Sequence, residues 1–428
     1  MPSPGLRRGL VAVAGPLLAI GVAVVVLVLV SSPSTHHPPV TTVHAAAPPP
    51  VPKKLPAPRP KPRPRPTDDP WPLYGYDLAR TRLFPNGGKL DPPLNVGWRF
   101  YDGALLEFPP VIDDNTLYFQ DSNGWASALS STNGKLIWHR RIGTVAAASP
   151  ALDIRHGIVF FTLLSRNPGT RATGNGAVVA LSMKTGKVVW SHSLPSGSES
   201  SPLVHGLSVF LGDQGGTVYS FRTYDGHLNW AFHADGAVKG GVAFAHNTLY
   251  FGDYGGHVFA VNAANGGEIW SAGGGDTFYS TPAVAFGRVY IGSTSGAVYA
   301  FWATSGARAW TASTGAYVYA SPAVADVPGL GPTVYIGSYD GHLYAYSADT
   351  GGVRWSHGGG GRIDGSATVV GNVVYYSSLG SNTTTGLNWR TGRQVFSFPD
   401  GEFTPVITDG KVLFLIGYST IYQMVPKH

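Results

Sequence analysis

Seven polar or aromatic side chains recur at the same place in successive units of the sequence, one or two positions before a short segment that often begins Ser-Pro or Thr-Pro. They are Glu107, Glu199, Lys239, Tyr279, Tyr319, Asp364 and Glu402. Carboxylates, one ammonium group and two phenols brought to one concave surface can bind a polar ligand, a cation or a basic loop of a partner protein. The alternative is that they are ordinary polar residues at exposed loop ends.

These side chains converge only if the units that carry them form a ring. Seven times a turn residue and a glycine are followed, four positions after the glycine, by an aromatic residue. Counting a tryptophan that precedes the first such unit, the aromatic residues are Trp98, Trp138, Trp190, Trp230, Trp270, Trp310, Trp355 and Phe396. Their spacings of 40, 52, 40, 40, 40, 45 and 41 residues are typical of β-propeller blades. We interpret these eight residues as structural clamps between neighbouring blades.

Each unit divides into four strands, such as TPAVAF, RVYIGS, AVYAFW and ARAW in the unit that ends at Trp310. The alternation in AVYAFW predicts that one face of this strand lies in the core. The last unit, residues 403–426, lacks an outer strand, whereas residues 95–101 form an outer strand without partners. We therefore expect strand 95–101 to pair with the blade of residues 403–426. This predicts an all-β domain over residues 70–428, an eight-bladed propeller of four-stranded antiparallel blades.

The second blade is longer than the others, and its extra residues fall at 164–176, between its second and third strands. That connection opens on the same face as the mouth of the ring. Because it carries Arg166 and Arg171, we interpret it as a candidate partner-binding loop. The alternative is an insertion that a surface loop tolerates.

The N-terminal region predicts a membrane anchor. Residues 9–30 are a run of 22 residues without a charged or amide side chain, and Arg7 and Arg8 precede it. A helix of this length crosses about 30 Å of hydrocarbon, and the two arginines place residues 1–8 in the cytoplasm. The propeller is then outside the membrane, in the periplasm or at the cell surface. The alternative is a signal peptide that is cleaved, although such peptides have shorter apolar regions of about 7–15 residues.

Residues 31–69 form a proline-rich linker, which we expect to be an extended polyproline II spacer. Residues 1–66 carry eight of the 30 basic residues and no acidic residue, which leaves 22 basic against 24 acidic residues in the rest of the chain. The overall charge of +6 therefore comes from the N-terminal region. The propeller has no bulk charge that favours nucleic acid.

Several kinds of chemistry are excluded by residue types. The chain has no cysteine, which rules out disulfides, thiolate zinc sites and a lipidated cysteine. The 14 histidines match no zinc-binding spacing, and no serine lies in a G-x-S-x-G motif. Asp213, Asp253 and Asp340 recur beside glycines and are interpreted as turn formers. We expect no metal site and no catalytic residue from these patterns.

The repeats GSYDGHLYAYSADTGGVRW and GSTSGAVYAFWATSGARAW resemble the tryptophan-docking repeats of the pyrroloquinoline quinone (PQQ) dehydrogenase-like propeller family. The segment WPLYGYDLARTRLFP, residues 71–85, is similar to the one that precedes the first blade in that family. The resemblance implies the propeller fold, and it extends to the non-enzymatic BamB-like branch. The quinone enzymes stack PQQ on a disulfide between adjacent cysteines and bind calcium beside it, whereas this chain has no cysteine.

Three functions are compatible with these sequence features. We expect a monomeric, non-catalytic binding or scaffolding platform outside the membrane, for a protein or a cell-wall polymer, without a cofactor. One alternative is a PQQ-dependent dehydrogenase of alcohols or sugars with calcium and a cysteine-free site. The other is a BamB-like assembly factor of the outer membrane. Fold resemblance alone does not decide among them.

Overall fold

A computed structural model of the chain describes residues 70–85, 87–166, 175–358 and 360–427. Within them the chain forms eight sheets, each built on four antiparallel strands, which we number as blades 1 to 8 in chain order. The prediction of an eight-bladed, four-stranded propeller is confirmed. The predicted anchor, residues 9–30, and the linker, residues 31–69, lie outside the described residues. Over the part of the chain that is described, no helix has the length and apolar character needed to cross a membrane.

In blades 1 to 7 four consecutive strands run in order from the axis outwards. Blade 1 has Val111–Asp113, Thr116–Gln120, Trp125–Ser130 and Leu136–Arg141; blade 2 has Ala151–Asp153, Ile158–Leu163, Gly176–Ser182 and Val188–Leu194. Blade 3 has Leu203–His205, Ser208–Gly212, Thr217–Arg222 and Leu228–His233; blade 4 has Ala243–Ala245, Thr248–Gly252, His257–Asn262 and Glu268–Gly273. Blade 5 has Ala283–Ala285, Arg288–Gly292, Ala297–Trp302 and Arg308–Ser313; blade 6 has Ala323–Val327, Gly331–Gly337, His342–Ser347 and Val353–Gly358. Blade 7 has Thr368–Val370, Val373–Ser378, Thr383–Asn388 and Gln394–Phe398.

Blade 8 combines the two ends of the described chain. Its strands are Val406–Thr408, Leu413–Ile416 and Thr420–Pro426, with Leu94–Tyr101 as the outer strand. Leu94–Tyr101 is antiparallel to Thr420–Pro426, with Asn95 opposite Val425 and a bulge between Val96 and Trp98. The last sheet is thus completed by an N-terminal strand, and the ring is closed.

The middle strands are buried on both faces, which differs from the one-sided burial expected from AVYAFW. In Ala297–Trp302 the four central residues are all buried. Val298 and Ala300 pack in a core cluster with blade 6, whereas Tyr299 and Phe301 pack in a cluster with blade 4. The reason is that each blade has a neighbour on either side, so both faces of its middle strands meet another sheet.

The tryptophans join each blade to the next through their indole N–H groups. Each N–H donates to a carbonyl in the last hairpin of the following blade, at 2.8–3.3 Å. The pairs are Trp98 to Ser131, Trp138 to Met183, Trp190 to Thr223, Trp230 to Ala263, Trp270 to Ala303, Trp310 to Ala348 and Trp355 to Trp389. The repeated aromatic residue is therefore a contact between blades.

The turn glycine of the following blade lies against the face of each ring. A Cβ atom on Gly226, for example, would be 2.8 Å from Cδ2 of Trp190. Phe396 is the exception in the aromatic series, since the blade after it is blade 8. The third and fourth strands of blade 8 come from opposite ends of the chain, so no hairpin is there to supply the glycine and the carbonyl acceptor.

The central channel is filled by residues 71–84, which the sequence did not predict; we call this segment the plug. Trp71 pairs with Ile112 of blade 1, and Leu83–Phe84 is parallel to Thr368–Val370 of blade 7. Between these points plug carbonyls accept hydrogen bonds from backbone N–H groups of inner strands. The pairs are Leu152 to Pro72, Phe244 to Leu78, Val284 to Ala79, Val324 to Thr81 and Val369 to Arg82. A 3-10 helix, Gly87–Leu90, follows the plug and leads to blade 8.

Candidate functional site

The loops that enter the inner strands meet at one face of the ring, and a cavity opens there at the axis; we call it the mouth. Seven of the eight blades contribute residues to its lining. Six of the seven sequence-predicted residues line it, namely Glu107, Glu199, Lys239, Tyr279, Tyr319 and Asp364. The ring thus brings together residues that are up to 257 positions apart (107 to 364). Their function as a site stays a prediction.

Glu199 is the centre of a polar network on one side of the mouth. Its Oε1 lies 3.2 Å from the ammonium nitrogen of Lys239, and its Oε2 accepts a hydrogen bond of 3.0 Å from the Tyr279 hydroxyl. The Gln214 side chain also donates to Oε1. Three donors therefore hold this carboxylate in a fixed position.

Tyrosines surround the Lys239 ammonium and extend from it across blades 4 to 6. The ammonium lies 5.1 Å from the ring centre of Tyr254 and 5.8 Å from that of Tyr279, both within cation–π distance. Edge-to-face contacts continue from Tyr279 to Tyr319 at 5.2 Å and from Tyr319 to Tyr339 at 5.0 Å. The result is an aromatic wall on one side of the mouth.

Tyr254 and Tyr339 were missed by the sequence analysis. Both lie in the hairpin between the second and third strands of their blades, in the segments GDYGG and GSYDG. These hairpins open on the same face as the loops that enter the inner strands. A comparison of equivalent hairpins across the repeats would have found them, because the homologous positions in other blades carry Gln214 and Thr294.

Glu107 lies across the mouth and forms no hydrogen bond or ion pair with any other described residue. Burial, together with the negative charges of Asp364 and Glu199, raises the pKa of Glu107 to about 8, although Lys239 acts in the opposite direction. Burial also raises the pKa of Asp364 to about 6, against a hydrogen bond from Tyr339 and the charge of Arg362. At neutral pH Glu107 is therefore mostly protonated. If it were ionised, it would add a third negative charge to those of Glu199 and Asp364.

The plug forms the floor of the mouth. The Tyr74 hydroxyl is 2.8 Å from Oγ of Ser366, and the guanidinium of Arg82 lies 4.2 Å from the Tyr74 ring centre. Arg80 is fully buried below, where it donates to the carbonyls of Val242, Ser201 and Pro202 at 2.9, 3.0 and 3.1 Å. The mouth is therefore a pocket with a closed floor and not the entrance of an open channel.

The remaining predicted residues lie away from this pocket. Glu402 is not part of its lining, and burial and the charge of Asp400 raise the pKa of Glu402. Arg166 is exposed and donates to the hydroxyl of Ser191 in an outer strand, at 3.3 Å, so it points to the rim of blade 2. Arg171 lies outside the described residues. The structure does not bring Arg166 or Glu402 to the mouth.

Asp235, Asp253 and His257 are close enough in space to be considered as metal ligands. The carboxylate of Asp253 is already used by the backbone, because it accepts hydrogen bonds of 2.8 Å from the N–H groups of Gly236 and His257. Asp213 accepts N–H bonds from Gly215 and Thr217 in the same way. These aspartates shape turns, in agreement with their interpretation from the sequence.

The mouth does not fit the quinone that the fold family implies. PQQ carries carboxylate groups, and Lys239, the one cation among the described lining residues, is already paired with Glu199. The lining therefore offers no unpaired cation to an anionic cofactor, and the charge of Asp364 opposes its binding. The disulfide that supports the quinone in the related enzymes also has no counterpart, since the sequence contains no cysteine.

Comparison with known proteins gives one family. The family model described as "Outer membrane protein assembly factor BamB" matches residues 156–238 and 230–425, which is more than half of the chain. Among curated proteins, the tetrathionate hydrolase of Acidithiobacillus ferrooxidans is 25% identical over 198 residues, 34% of this chain and 40% of the relative. BamB of Legionella pneumophila is 27% identical over 123 residues, 28% of this chain and 31% of the relative. The matches thus span less than half the length of these relatives.

Solved structures agree on the fold. BamB from Moraxella catarrhalis has a TM-score of 0.65 at 18% identity, with 79% of this chain and 99% of that chain covered. A europium-containing methanol dehydrogenase has a TM-score of 0.67 at 15% identity, with 83% and 90% covered. At these identities both similarities concern the fold alone.

Proposed function

The chain belongs to the BamB-type family of PQQ-like repeat propellers, and from this premise we propose that it is a non-catalytic platform that binds a protein partner at its mouth face. The observation that carries the proposal is the mouth itself. It is a closed-floor pocket in a closed ring, with the fixed carboxylate of Glu199 beside an aromatic wall that begins at Tyr279. Tyrosines and paired charges in such a setting are typical of protein-binding surfaces.

The proposal includes attachment to the membrane through residues 9–30, with the propeller outside. The described chain enters the ring from the face opposite the mouth. Trp71 is antiparallel to Ile112, and the inner strand Val111–Asp113 runs away from the mouth. Residue 70, where the described chain begins, therefore lies on the face opposite the mouth.

A role in catalysis by a bound quinone is not part of the proposal. The lining of the mouth has no unpaired cation to hold the carboxylates of that cofactor, and the dehydrogenases among the structural neighbours share the fold alone. A BamB-like role in an assembly complex is the form of scaffolding that the family suggests. A cell-wall polymer is the second candidate for the partner.

Site-specific photo-crosslinking in intact cells tests the proposal. Tyr317, at the rim of the mouth, and Phe286, in a hairpin on the opposite face, are both exposed aromatic residues. Each is replaced in the full chain by benzoylphenylalanine. We expect discrete cross-linked protein species from position 317 and none from position 286.

Cross-links of equal yield from both positions, or none from position 317, would contradict a partner at the mouth face. If digestion with a cell-wall hydrolase returns the cross-linked product from position 317 to the gel mobility of the free chain, the partner is a wall polymer and not a protein. Unchanged thermal unfolding of both substituted chains provides the control for folding.

A further inference from the structure

The mouth already holds one ammonium group, and that group belongs to the chain itself. Lys239 places its charged nitrogen 3.2 Å from Oε1 of Glu199 and over the rings of Tyr254 and Tyr279. A carboxylate combined with tyrosine faces is the arrangement by which proteins recognise ammonium ligands. Lys239 therefore shows which chemistry this surface accepts.

Lys239 neutralises a carboxylate in only one half of the mouth, the half that contains Glu199. Glu107 and Asp364 line the other half, and Glu107 has no hydrogen bond or ion pair with any residue in the described part of the chain. Tyr319 stands beside them and continues the aromatic wall. In this half Asp364 accepts a hydrogen bond from Tyr339 and lies near the charge of Arg362, but Arg362 is not part of the pocket lining. The half that Lys239 leaves open thus has the same two components, carboxyl groups and a tyrosine face, with no cation among its described lining residues.

We propose that the mouth binds the side-chain ammonium group of a lysine from a partner protein, between Glu107, Asp364 and Tyr319, beside the internal ammonium of Lys239. This inference rests on the proposed function and names the chemistry of the contact. The partner presents a lysine on a protruding loop, because the pocket has a closed floor formed by Tyr74.

The charges around Glu107 predict that a proton leaves when the ligand binds. The groups that face it are Glu199, Lys239, Tyr279 and Asp364. Without ligand, burial and the two neighbouring carboxylates keep the pKa of Glu107 near 8, so the group is mostly protonated at pH 7. An ammonium ion favours the ionised form and lowers this pKa, so binding releases about one proton at pH 7 and strengthens as the pH rises from 6 to 8.

Isothermal titration calorimetry of the full chain in detergent micelles tests the inference. The probe is a short capped peptide, acetyl-Gly-Ser-Lys-Ser-Gly-amide, and its control is the same peptide with Nε-acetyllysine. Titrations in two buffers that differ in ionisation enthalpy measure the protons released. We expect binding of the lysine peptide with proton release, and binding at least about tenfold weaker for the acetyllysine peptide.

Three substitutions locate the contact. Glu107→Gln keeps the shape of the side chain and should weaken the lysine peptide about tenfold and abolish the proton release. Glu402→Gln, outside the pocket, should leave both unchanged. Lys239→Met removes the internal ammonium and should tighten binding several-fold, because the Glu199 half of the mouth becomes free.

Several results would overturn the inference. These are equal affinity for the two peptides, an unchanged affinity in Glu107→Gln, or weaker binding in Lys239→Met. Calcium that binds at the mouth and excludes the lysine peptide would assign the carboxyl groups to a metal ion instead. A cross-link at position 317 without lysine binding would refute the ligand class while the proposed function stands. Lysine binding without a cross-link at position 317 would contradict the proposed function while the ligand class stands.

Discussion

At the scale of single residues, the turn glycines carry the contact between blades. Gly226 has a φ of +74°, and its Cα faces the ring of Trp190, so that a methyl group there would overlap the indole. Gly287 has a similar φ of +71° but faces open space. The pair separates two effects, since alanine at either position meets the same backbone strain but only Gly226 adds a clash.

We predict that Gly226→Ala destabilises the protein by about 2–4 kcal/mol and Gly287→Ala by about 1–2 kcal/mol. Both variants have the same backbone strain. Gly226→Ala should cost more, because Trp190 must also move and lose its hydrogen bond to the carbonyl of Thr223. Thermal unfolding followed by circular dichroism measures the difference. Equal shifts in the two variants would show that the ring contact contributes nothing beyond backbone strain.

The residues of the mouth show which parts of the candidate site can be predicted from the sequence. Glu107, Glu199 and Lys239 were predicted because each precedes an inner strand, and the repeat fixes where that strand begins. Glu402 was placed in the same set by the same rule, yet it lies outside the pocket lining. The repeat determines the position of a backbone segment, whereas the direction of a side chain depends on neighbours from other blades.

At the scale of elements, the blades were predictable and the plug was not. Each blade is formed by hairpins between adjacent strands, so its turns and its alternation of residues are local in the sequence. The plug at residues 71–84 has no repeat, and its backbone hydrogen bonds with inner strands reach from Ile112 to Val369. Its signs in the sequence were the lack of a four-strand pattern and the similarity of residues 71–85 to the segment that precedes the first blade in PQQ-like propellers. The membrane anchor, predicted from composition, stays a prediction.

Arg80 fixes the plug to the ring. It is fully buried, and burial together with the nearby charge of Arg82 lowers the pKa of Arg80 to about 9. We predict that Arg80→Lys destabilises the protein by about 2–4 kcal/mol, because an ammonium group cannot reach the carbonyls of Val242, Ser201 and Pro202 together. Arg155→Lys, at an exposed position, should change stability by less than about 0.5 kcal/mol.

Hydrogen exchange measured by mass spectrometry distinguishes loss of the plug from general destabilisation. In Arg80→Lys the amides of residues 71–84 should exchange faster, while those of the outer strands keep the rates of the wild-type chain. An equal acceleration in the plug and the outer strands would indicate that Arg80 stabilises the ring as a whole and does not hold the plug in particular.

At the scale of the whole molecule, closure of the ring depends on one pair of strands from opposite ends of the chain. An open array would leave two sheet edges and two unpacked blade faces exposed. Leu94–Tyr101 removes them by joining Thr420–Pro426, and core residues from blades 1, 7 and 8 pack together beside this junction. The mouth depends on the same closure, because Glu107 and Asp364 approach each other only across the completed ring.

Because the chain contains no cysteine, an introduced pair can test the register of this junction without competing thiols. Asn95 and Val425 are directly opposite each other. Antiparallel partners have Cα separations of about 4.5–5.5 Å, within the range of a disulfide. We predict that Asn95→Cys/Val425→Cys forms a disulfide in the folded protein and raises its unfolding temperature, because the bond closes a loop of more than 300 residues.

The control, Asn95→Cys/Met424→Cys, is one residue out of register and places its second thiol on the other face of the strand, so it should remain reduced under the same mild oxidation. Non-reducing gel mobility and mass spectrometry report the bond. Cross-linking of both pairs to the same extent would mean that the closing strand slides, and failure of the first pair alone would mean that the ring is joined in a different register.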